Sequence, residues 1–389
     1  MNRYSERLPW STPQNSYSVL LEKKRLAGDS LLDLTCSNPT RALPDYPHAE
    51  IAQAIGAIAD FQYEPQALGA TRARDDIAQW YAQQGIVVSS GRNALCASTS
   101  EAYSILFKLL CNPGDEVLIP NPSYPLFEYL AQAEAVKTSP YRLVYDGGWF
   151  IDLDSVRNAI SARTKAIVVV NPNNPTGSYV KAAELDALIE IAVRYQLSLI
   201  SDEVFMTYPA SGSVGRVRSL IGHDEILSFS LNGLSKTAGM PQMKLGWMVV
   251  NGPEEEARAA LGKLELLLDT YLSVGTPVQR SLPRLLAIGD VIHSQIGERL
   301  RRNGEALAVL QKSPIQILAS EAGWSAILRV PAIRTEEAWM TSLLIDHGVV
   351  VQPGYFFDMA TEAYLVVSLL SNPEQFAAGL ARLKQLAEP

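Results

Sequence analysis

Three short segments in the middle of the chain carry residue types that could do chemistry together. The first is Asn171-Pro172-Asn173-Asn174-Pro175-Thr176-Gly177, directly after the apolar run Lys165–Val170. Asn, Pro and Gly are ordinary turn residues, so any one of them means only a tight loop. An unbroken run of such residues after a core strand, at the carboxyl end where α/β sheets bind ligands, points to a built site. The second segment is Asp202-Glu203, at the end of the next strand, where an acidic residue either caps a helix or serves a ligand. The third is Gly233-Leu234-Ser235-Lys236, after the run Ile226–Ser230, with a further cation at Lys244. A lone lysine is usually a solvated surface group. A lysine whose pKa is depressed by burial or nearby positive charge is instead a free amine, able to form a Schiff base with an aldehyde and to carry protons.

The elements that must hold these segments alternate along the chain. Ala94–Ser98 reads as a strand, and Glu101–Leu110 as a helix with Ala102, Ile105, Leu106 and Leu109 on one face. Glu116–Pro120 is a short strand. Lys165–Val170 is β-branched and apolar without alternation, as expected of a strand covered on both faces. Ala183–Tyr195 has helical spacing, and Leu197–Ile200, Ile226–Ser230 and Leu245–Val250 return to strand. This rhythm implies right-handed crossovers and a mostly parallel sheet. From Glu254 the pattern changes to two long helical stretches, Glu254–Leu272 and Val278–Leu310. After them, short strands (Trp324–Val330, Val349–Val351, Tyr364–Leu370) mix with helices (Glu336–His347, Pro373–Ala387), which reads as a smaller α+β domain beginning near residue 281.

Composition narrows the function classes. The 389 residues are 47% hydrophobic and 19% charged, as in a globular chain of two or three domains, and the net charge of −8 argues against nucleic acid as the main partner. No apolar run reaches the roughly 18 residues of a membrane span, and Met1–Arg7 lacks the apolar core of a signal peptide. Cys36, Cys96 and Cys111 are widely spaced, so no disulfide framework is expected and a cytoplasmic location fits. His48, His223, His293 and His347 lack ligand partners at helical spacing, so no metal site is expected. There is no G-x-x-x-x-G-K-[ST], G-x-G-x-x-G or G-x-S-x-G motif, which leaves P-loop, dinucleotide and α/β-hydrolase chemistry unsupported.

Taken in order, Tyr63…Gly69, Ser98–Ala102, Tyr124, N-P-x-N-P-T-G, Asp-Glu, Ser-Lys and G-x-x-x-x-K-x-G-W resemble the fold-type I aminotransferases of class I/II, which depend on pyridoxal 5'-phosphate (PLP). The resemblance runs along almost the whole chain. It implies a PLP-dependent transferase fold, with a large domain of mostly parallel sheet flanked by helices (46–280) and a small C-terminal α+β domain (281–389). Residues 1–45 would join the small domain and cover the active site. It implies an amino group moved between an amino acid and a 2-oxo acid, with Lys236 as the Schiff-base lysine. Asp202 matches the carboxylate that holds the proton on the pyridine nitrogen, without which the ring is a poor electron sink. Asn174 matches the asparagine on the ring hydroxyl oxygen, and Tyr124 the aromatic stacked on the ring. Thr99 and Ser100, opening a helix, with Ser235 and Lys244, match the phosphate site. Tyr63 matches a tyrosine that reaches the phosphate from the neighbouring subunit, implying a homodimer with composite sites.

Four positions depart from the family pattern. Gly233 stands where a phosphate-binding hydroxyl is common. Lys244 replaces an arginine, keeping the charge but losing the fork. Phe205 stands where a tyrosine usually contacts the ring oxygen. Val366 stands where an arginine binds the substrate α-carboxylate. An unpaired carboxylate in a closed site is costly. Either a substitute cation binds it, with Arg41 in the segment Ser37–Arg41 as candidate and Asn38 beside it, or the amino donor lacks that carboxylate. The unchanged cofactor set favours the first option. The alternatives in activity are a PLP-dependent C–S lyase of the same fold, which shares the cofactor residues, and a non-catalytic PLP-binding sensor of a transcription regulator. The sensor would need an extra DNA-binding domain, and the first family-like segment, Leu34–Thr40, is reached within roughly 40 residues, too short a leader for one.

Overall fold

The computed structural model describes residues 4–10, 15–210 and 215–388. Residues 1–3, which open the Met1–Arg7 stretch, and 11–14, 211–214 and 389, which fall within the expected divisions 1–45, 46–280 and 281–389, lie outside the described residues. The strands are β1 Leu32–Asp33, β2 Asn93–Cys96, β3 Glu116–Asn121, β4 Lys137–Tyr145, β5 Trp149–Ile151, β6 Thr164–Val170, β7 Ser198–Asp202, β8 Ser228–Gly233, β9 Gly246–Asn251, β10 Gln316–Ile317, β11 Ser325–Arg329, β12 Val349–Val350, β13 Gln352–Pro353 and β14 Tyr364–Ser368.

An eight-stranded sheet in the order β2-β9-β8-β7-β6-β3-β4-β5 forms the larger body. Its centre, β4-β3-β6-β7-β8, is parallel; β9 runs antiparallel to both β8 and β2, and β5 antiparallel to β4. β6 and β7 are buried nearly throughout, because helices cover both faces. Each apolar side chain buried there is worth roughly 1.5–3 kcal/mol. The pair β4–β5 at the sheet edge had no counterpart in the sequence reading. Most of its residues are exposed or half-buried, Tyr141 and Trp149 are buried singly, and it includes Pro140, so it lacks the apolar run that marks the central strands.

The second body carries a four-stranded sheet, β10-β11-β14-β13, backed by the helices Glu336–His347 and Pro373–Ala387. The N-terminal segment joins it. β1 lies parallel to β12, the Ser368 amide donates to the Leu34 carbonyl at 2.7 Å, and the Ser368 hydroxyl donates to the Cys36 carbonyl at 2.5 Å. The long helix Thr276–Ala306 spans both bodies, and the expected boundary at 280/281 falls inside it. Near its start the Ser281 hydroxyl donates to the Ala54 carbonyl; near its end Asn303 donates to the carbonyls of Leu369 and Ser371. Among the described residues no helix is long and apolar enough to cross a membrane.

Candidate active site

The parallel strands deliver their carboxyl ends to one edge of the large sheet. β6 leads into Asn171–Gly177, β7 ends on Asp202, and β8 ends on Gly233 before the short helix Leu234–Thr237. β2 points the same way and leads into the helix Thr99–Leu110. β9 runs back, so its first residue, Gly246, pairs with both Gly233 and Cys96 and brings Lys244 to that edge. These ends line a cavity of about 370 Å³. Thr99, Ser100, Tyr124, Asn174, Asp202, Phe205, Ser235, Lys236 and Lys244 all border it.

Asp202 is buried. Tyr103 donates to its Oδ2 at 3.1 Å and the Val204 amide to its Oδ1 at 3.3 Å. Burial nevertheless pushes its carboxyl up to about 6, with the two hydrogen bonds and Lys236 opposing. Because successive strand residues face opposite ways, Glu203 points away from Asp202 and into the core. There it accepts from Ser201, from Ser219 at 2.6 Å and from the Leu220 amide at 2.9 Å. The acidic pair therefore splits into one group at the cavity and one structural anchor.

Lys236 sits over the rings of Trp324 (5.3 Å) and Phe205 (5.8 Å), and Tyr208 donates to its backbone carbonyl at 2.6 Å. Burial lowers its pKa, with the Asp202 charge pulling the other way. The lysine is thereby shifted toward the neutral amine that nucleophilic chemistry requires.

At the other end Ser98 caps the helix Thr99–Leu110. Its hydroxyl accepts from the Glu101 amide at 3.2 Å, while Glu101 accepts from the Ala97 amide at 2.6 Å. The amides of Thr99 and Ser100, first in the helix, have no intrahelical acceptor and are free for an anion. Gly246 permits this packing: a Cβ there would lie 3.3 Å from the Ser98 Cα. Gly233 is equally confined, since a Cβ would lie 2.9 Å from the Gly246 Cα and 3.0 Å from the Leu245 carbonyl oxygen. The missing hydroxyl at Gly233 thus has a packing reason.

The Asn171–Gly177 loop is braced on several sides. Asn171 bonds Val180 and Val217, and Asn173 bonds Pro122, Thr176 and Ser123. Gly177, at φ +66°, lies so close to Ser320 and Ala322 that a Cβ would collide with both. Only Asn174 faces the cavity, accepting from Ser325 at 3.2 Å.

A profile of the family "Aminotransferase class I and II" matches residues 30–383. The chain belongs to this aminotransferase family. It is similar to the glutamate-pyruvate aminotransferase AlaA of Haemophilus influenzae, 28% identical over 95% of this chain and 93% of that one. The AlaA of Escherichia coli is 31% identical over 69% of this chain and 67% of that one. Among solved structures, an alanine aminotransferase from Pyrococcus furiosus superposes with a TM-score of 0.88 at 22% identity, covering 99% of each chain, which bears on the fold. The aminotransferase is an enzyme whose cofactor is PLP, and its reaction moves an amino group between an amino acid and a 2-oxo acid. The donor set suits that cofactor: a buried carboxylate, a lysine of lowered pKa, and helix amides beside a cation.

The other sequence candidates lie elsewhere. Tyr63 is 68% exposed and lines a separate cleft with Gly69, Leu95 and Leu272. Arg41 is exposed and does not border the aminotransferase cavity; Asn38 caps its own turn, accepting from Thr40. Val366 is buried against Trp149, Ile327 and Phe357. Sequence reading missed Tyr103, Trp324, Ser325, Gln352, Phe356 and Ser368, which also border the cavity. Tyr103 alone left a clue, one turn beyond Thr99 and Ser100 on the same helix.

Proposed function

We propose that this aminotransferase holds PLP between Asp202, Asn174 and Tyr124 around the ring and Thr99, Ser100, Ser235 and Lys244 around the phosphate, with Lys236 as the catalytic residue. The observation that supports this is that all eight side chains border one cavity, the one in which the Lys236 pKa is lowered. The cofactor supplies an aldehyde and a conjugated ring that stabilises negative charge on the adjacent carbon. In this reading the Lys236 amine would hold the cofactor through its aldehyde, and the same amine, when free, would serve as the base and acid that moves the substrate proton. Asp202 keeps the ring nitrogen protonated, and Tyr103 orients Asp202. Trp324 and Phe205 keep water from the lysine.

The assignments extend to assembly and organisation. Tyr63, exposed and distant from the chain's own cavity, is proposed to complete the partner's phosphate site in a homodimer. The division into 1–45, 46–280 and 281–389 is supported by the two separate sheets and by the β1–β12 pairing. Three free cysteines favour a cytoplasmic location.

An amino-group transfer assay over a panel of amino acids with pyruvate and 2-oxoglutarate tests the activity. The expected result is stoichiometric formation of a new amino acid and a new 2-oxo acid. Release of ammonia and pyruvate without consumption of an acceptor would identify a lyase instead.

A further inference from the structure

Lys236 stands on little secondary structure of its own. Its helix, Leu234–Thr237, is one turn, and one turn has no cooperative stability. Its place is therefore set by neighbours. The Thr237 hydroxyl donates to Asn232 Oδ1 at 2.6 Å, and Tyr46 donates to the Gly239 carbonyl at 2.9 Å. The long helix Thr276–Ala306 packs on the end of the segment: a Cβ at Gly289 would lie 2.6 Å from the Ala238 Cβ, and one at Gly239 would lie 2.5 Å from Ile292 Cγ2. At Lys236 itself the carbonyl accepts from the Gly239 amide at 3.1 Å, within the same turn, and from the Tyr208 hydroxyl at 2.6 Å.

Tyr208 is buried and joins four parts of the chain. It lies on the loop that follows Asp202, and its amide donates to the Phe205 carbonyl at 3.0 Å. Its ring packs edge-on against Trp324 of the small body at 5.2 Å, and its carbonyl accepts from the Gly323 amide at 3.0 Å. The ring also lies 4.7 Å from that of His293, on the long helix, inclined by 30°. His293 Nε2 meets the Thr207 carbonyl at 2.6 Å; a carbonyl only accepts, so that nitrogen carries the proton and ties down the residue before Tyr208. Burial pushes the Tyr208 phenol far above its ordinary pKa, so the hydroxyl stays a donor.

We propose that Tyr208 is the positioning residue of the Lys236 amine, holding the lysine backbone from the loop that carries Asp202 and from the small body together. The proposal rests on the role given to Lys236 above and adds what aims it. A lysine side chain is long and flexible, so the place of its nitrogen depends on where its backbone starts and on what its stem lies against. Here the amine lies over Trp324 and Phe205, and Tyr208 touches both residues. Backbone and side chain are thus referred to one cluster. Without the hydroxyl, the lysine carbonyl keeps only bonds from its own turn, and the turn loses its tie to Asp202 and to the small body. A shift of about 1 Å in a reacting group costs on the order of a hundredfold in rate. Substrate binding contacts are untouched, so the loss belongs to kcat.

The test compares Tyr208→Phe with Tyr46→Phe. Each removes one oxygen from a buried tyrosine that donates to a backbone carbonyl, and the ring contacts of Tyr208 remain, so both variants should fold. In the PLP-loaded enzyme, Tyr208→Phe should lower kcat about tenfold with KM within about threefold, and Tyr46→Phe should keep kcat within about twofold. A second readout needs no turnover. When PLP is added to the full chain stripped of cofactor, the lysine amine condenses with the aldehyde, water leaves, and the visible band appears. The rate of that step should fall about tenfold in Tyr208→Phe. Pyridoxamine 5'-phosphate, which has no aldehyde and forms no bond to lysine, should bind both variants and wild type within about twofold. Equal losses in the two variants, pyridoxamine 5'-phosphate weakened in parallel with the slowed condensation, or a Tyr208→Phe enzyme within about twofold of wild type in both rates would each overturn the positioning role. A wild type with neither band nor transfer would instead overturn the role of Lys236 itself.

Discussion

The two ends of the cavity are built on opposite plans. The end formed by Ser98–Ser100, Ser235 and Lys244 is made of strand termini and a helix start within one sheet, with glycines at 233 and 246 drawing backbones together. The end formed by Thr35, Ser37, Trp324, Gln352 and Ser368 is assembled from strands and loops of the other body and from the beginning of the chain. The first end gathers free amides and a fixed cation, which suits an anion common to every member of a family. The second presents neutral and aromatic side chains on a separable frame. A fold can hold the first constant while altering the second, because their supporting hydrogen bonds share few residues.

The sharpest break in this comparison is Lys236→Ala. It should reduce transamination by roughly a thousandfold or more, since acid–base transfer and the covalent link are lost together. The visible band that borohydride bleaches in the wild type should also disappear, and persistence of both would remove Lys236 from the mechanism. Mixed with Tyr63→Phe subunits, Lys236→Ala subunits should regain activity above either parent, because one site of each hybrid dimer keeps both native residues. No recovery in verified hybrids would confine each site to one chain.

Asp202→Asn should lower kcat on the order of a hundredfold. It also has a signature in stability. In the cofactor-free protein the Asp202 carboxyl is raised to about 6 by burial. An unfolded chain releases that proton near about 4. The folded state therefore binds more protons across that window, and stability falls as pH rises through it. Glu203, raised to about 7, extends the decline. Melting temperatures of cofactor-free Asp202→Asn should decline less between about pH 4 and 6 than those of the wild type. Parallel curves would mean that Asp202 is not the titrating group.

Gly233→Ser probes whether the cofactor end can accept the hydroxyl it lacks. With Gly246 and Leu245 in the way, the expected result is a loss of about 1–3 kcal/mol in stability rather than tighter PLP. A stable variant with improved affinity would show that β8 and β9 can separate. The smallest effect belongs to Tyr103→Phe, a few-fold to about tenfold in kcat with little change in KM. A change confined to stability would make Tyr103 part of the core only.

The contrast also explains what could be read in advance. Lys236, Asp202 and Asn174 were legible as candidates because each lies in a contiguous segment at the end of an apolar strand, where local pattern and chemistry coincide. The central strands and the helices Glu336–His347 and Pro373–Ala387 stood out for the same reason. β4 and β5 did not, because an edge pair of mostly exposed or half-buried residues lacks a buried run. Trp324, Gln352 and Ser368 look like core or surface residues in sequence. Only the antiparallel register of β11, β14 and β13 sets Ser325, Gln352 and Ser368 on one face. Gly233 could be noticed as a departure, but its cause lies in a neighbour that sequence does not bring near.

The seam between the two chain ends gives the protein an order of completion. Cys36 and Ser368 are 332 residues apart, and the hydroxyl of one reaches the carbonyl of the other. At ordinary rates of synthesis the first waits tens of seconds for the second to leave the ribosome. During that interval the large sheet can form, with its strand ends and helix amides already convergent, while the wall that encloses the reactants does not exist. Newborn chains can thus acquire an anion site before they acquire a closed reaction chamber, and translation itself separates the two events in time.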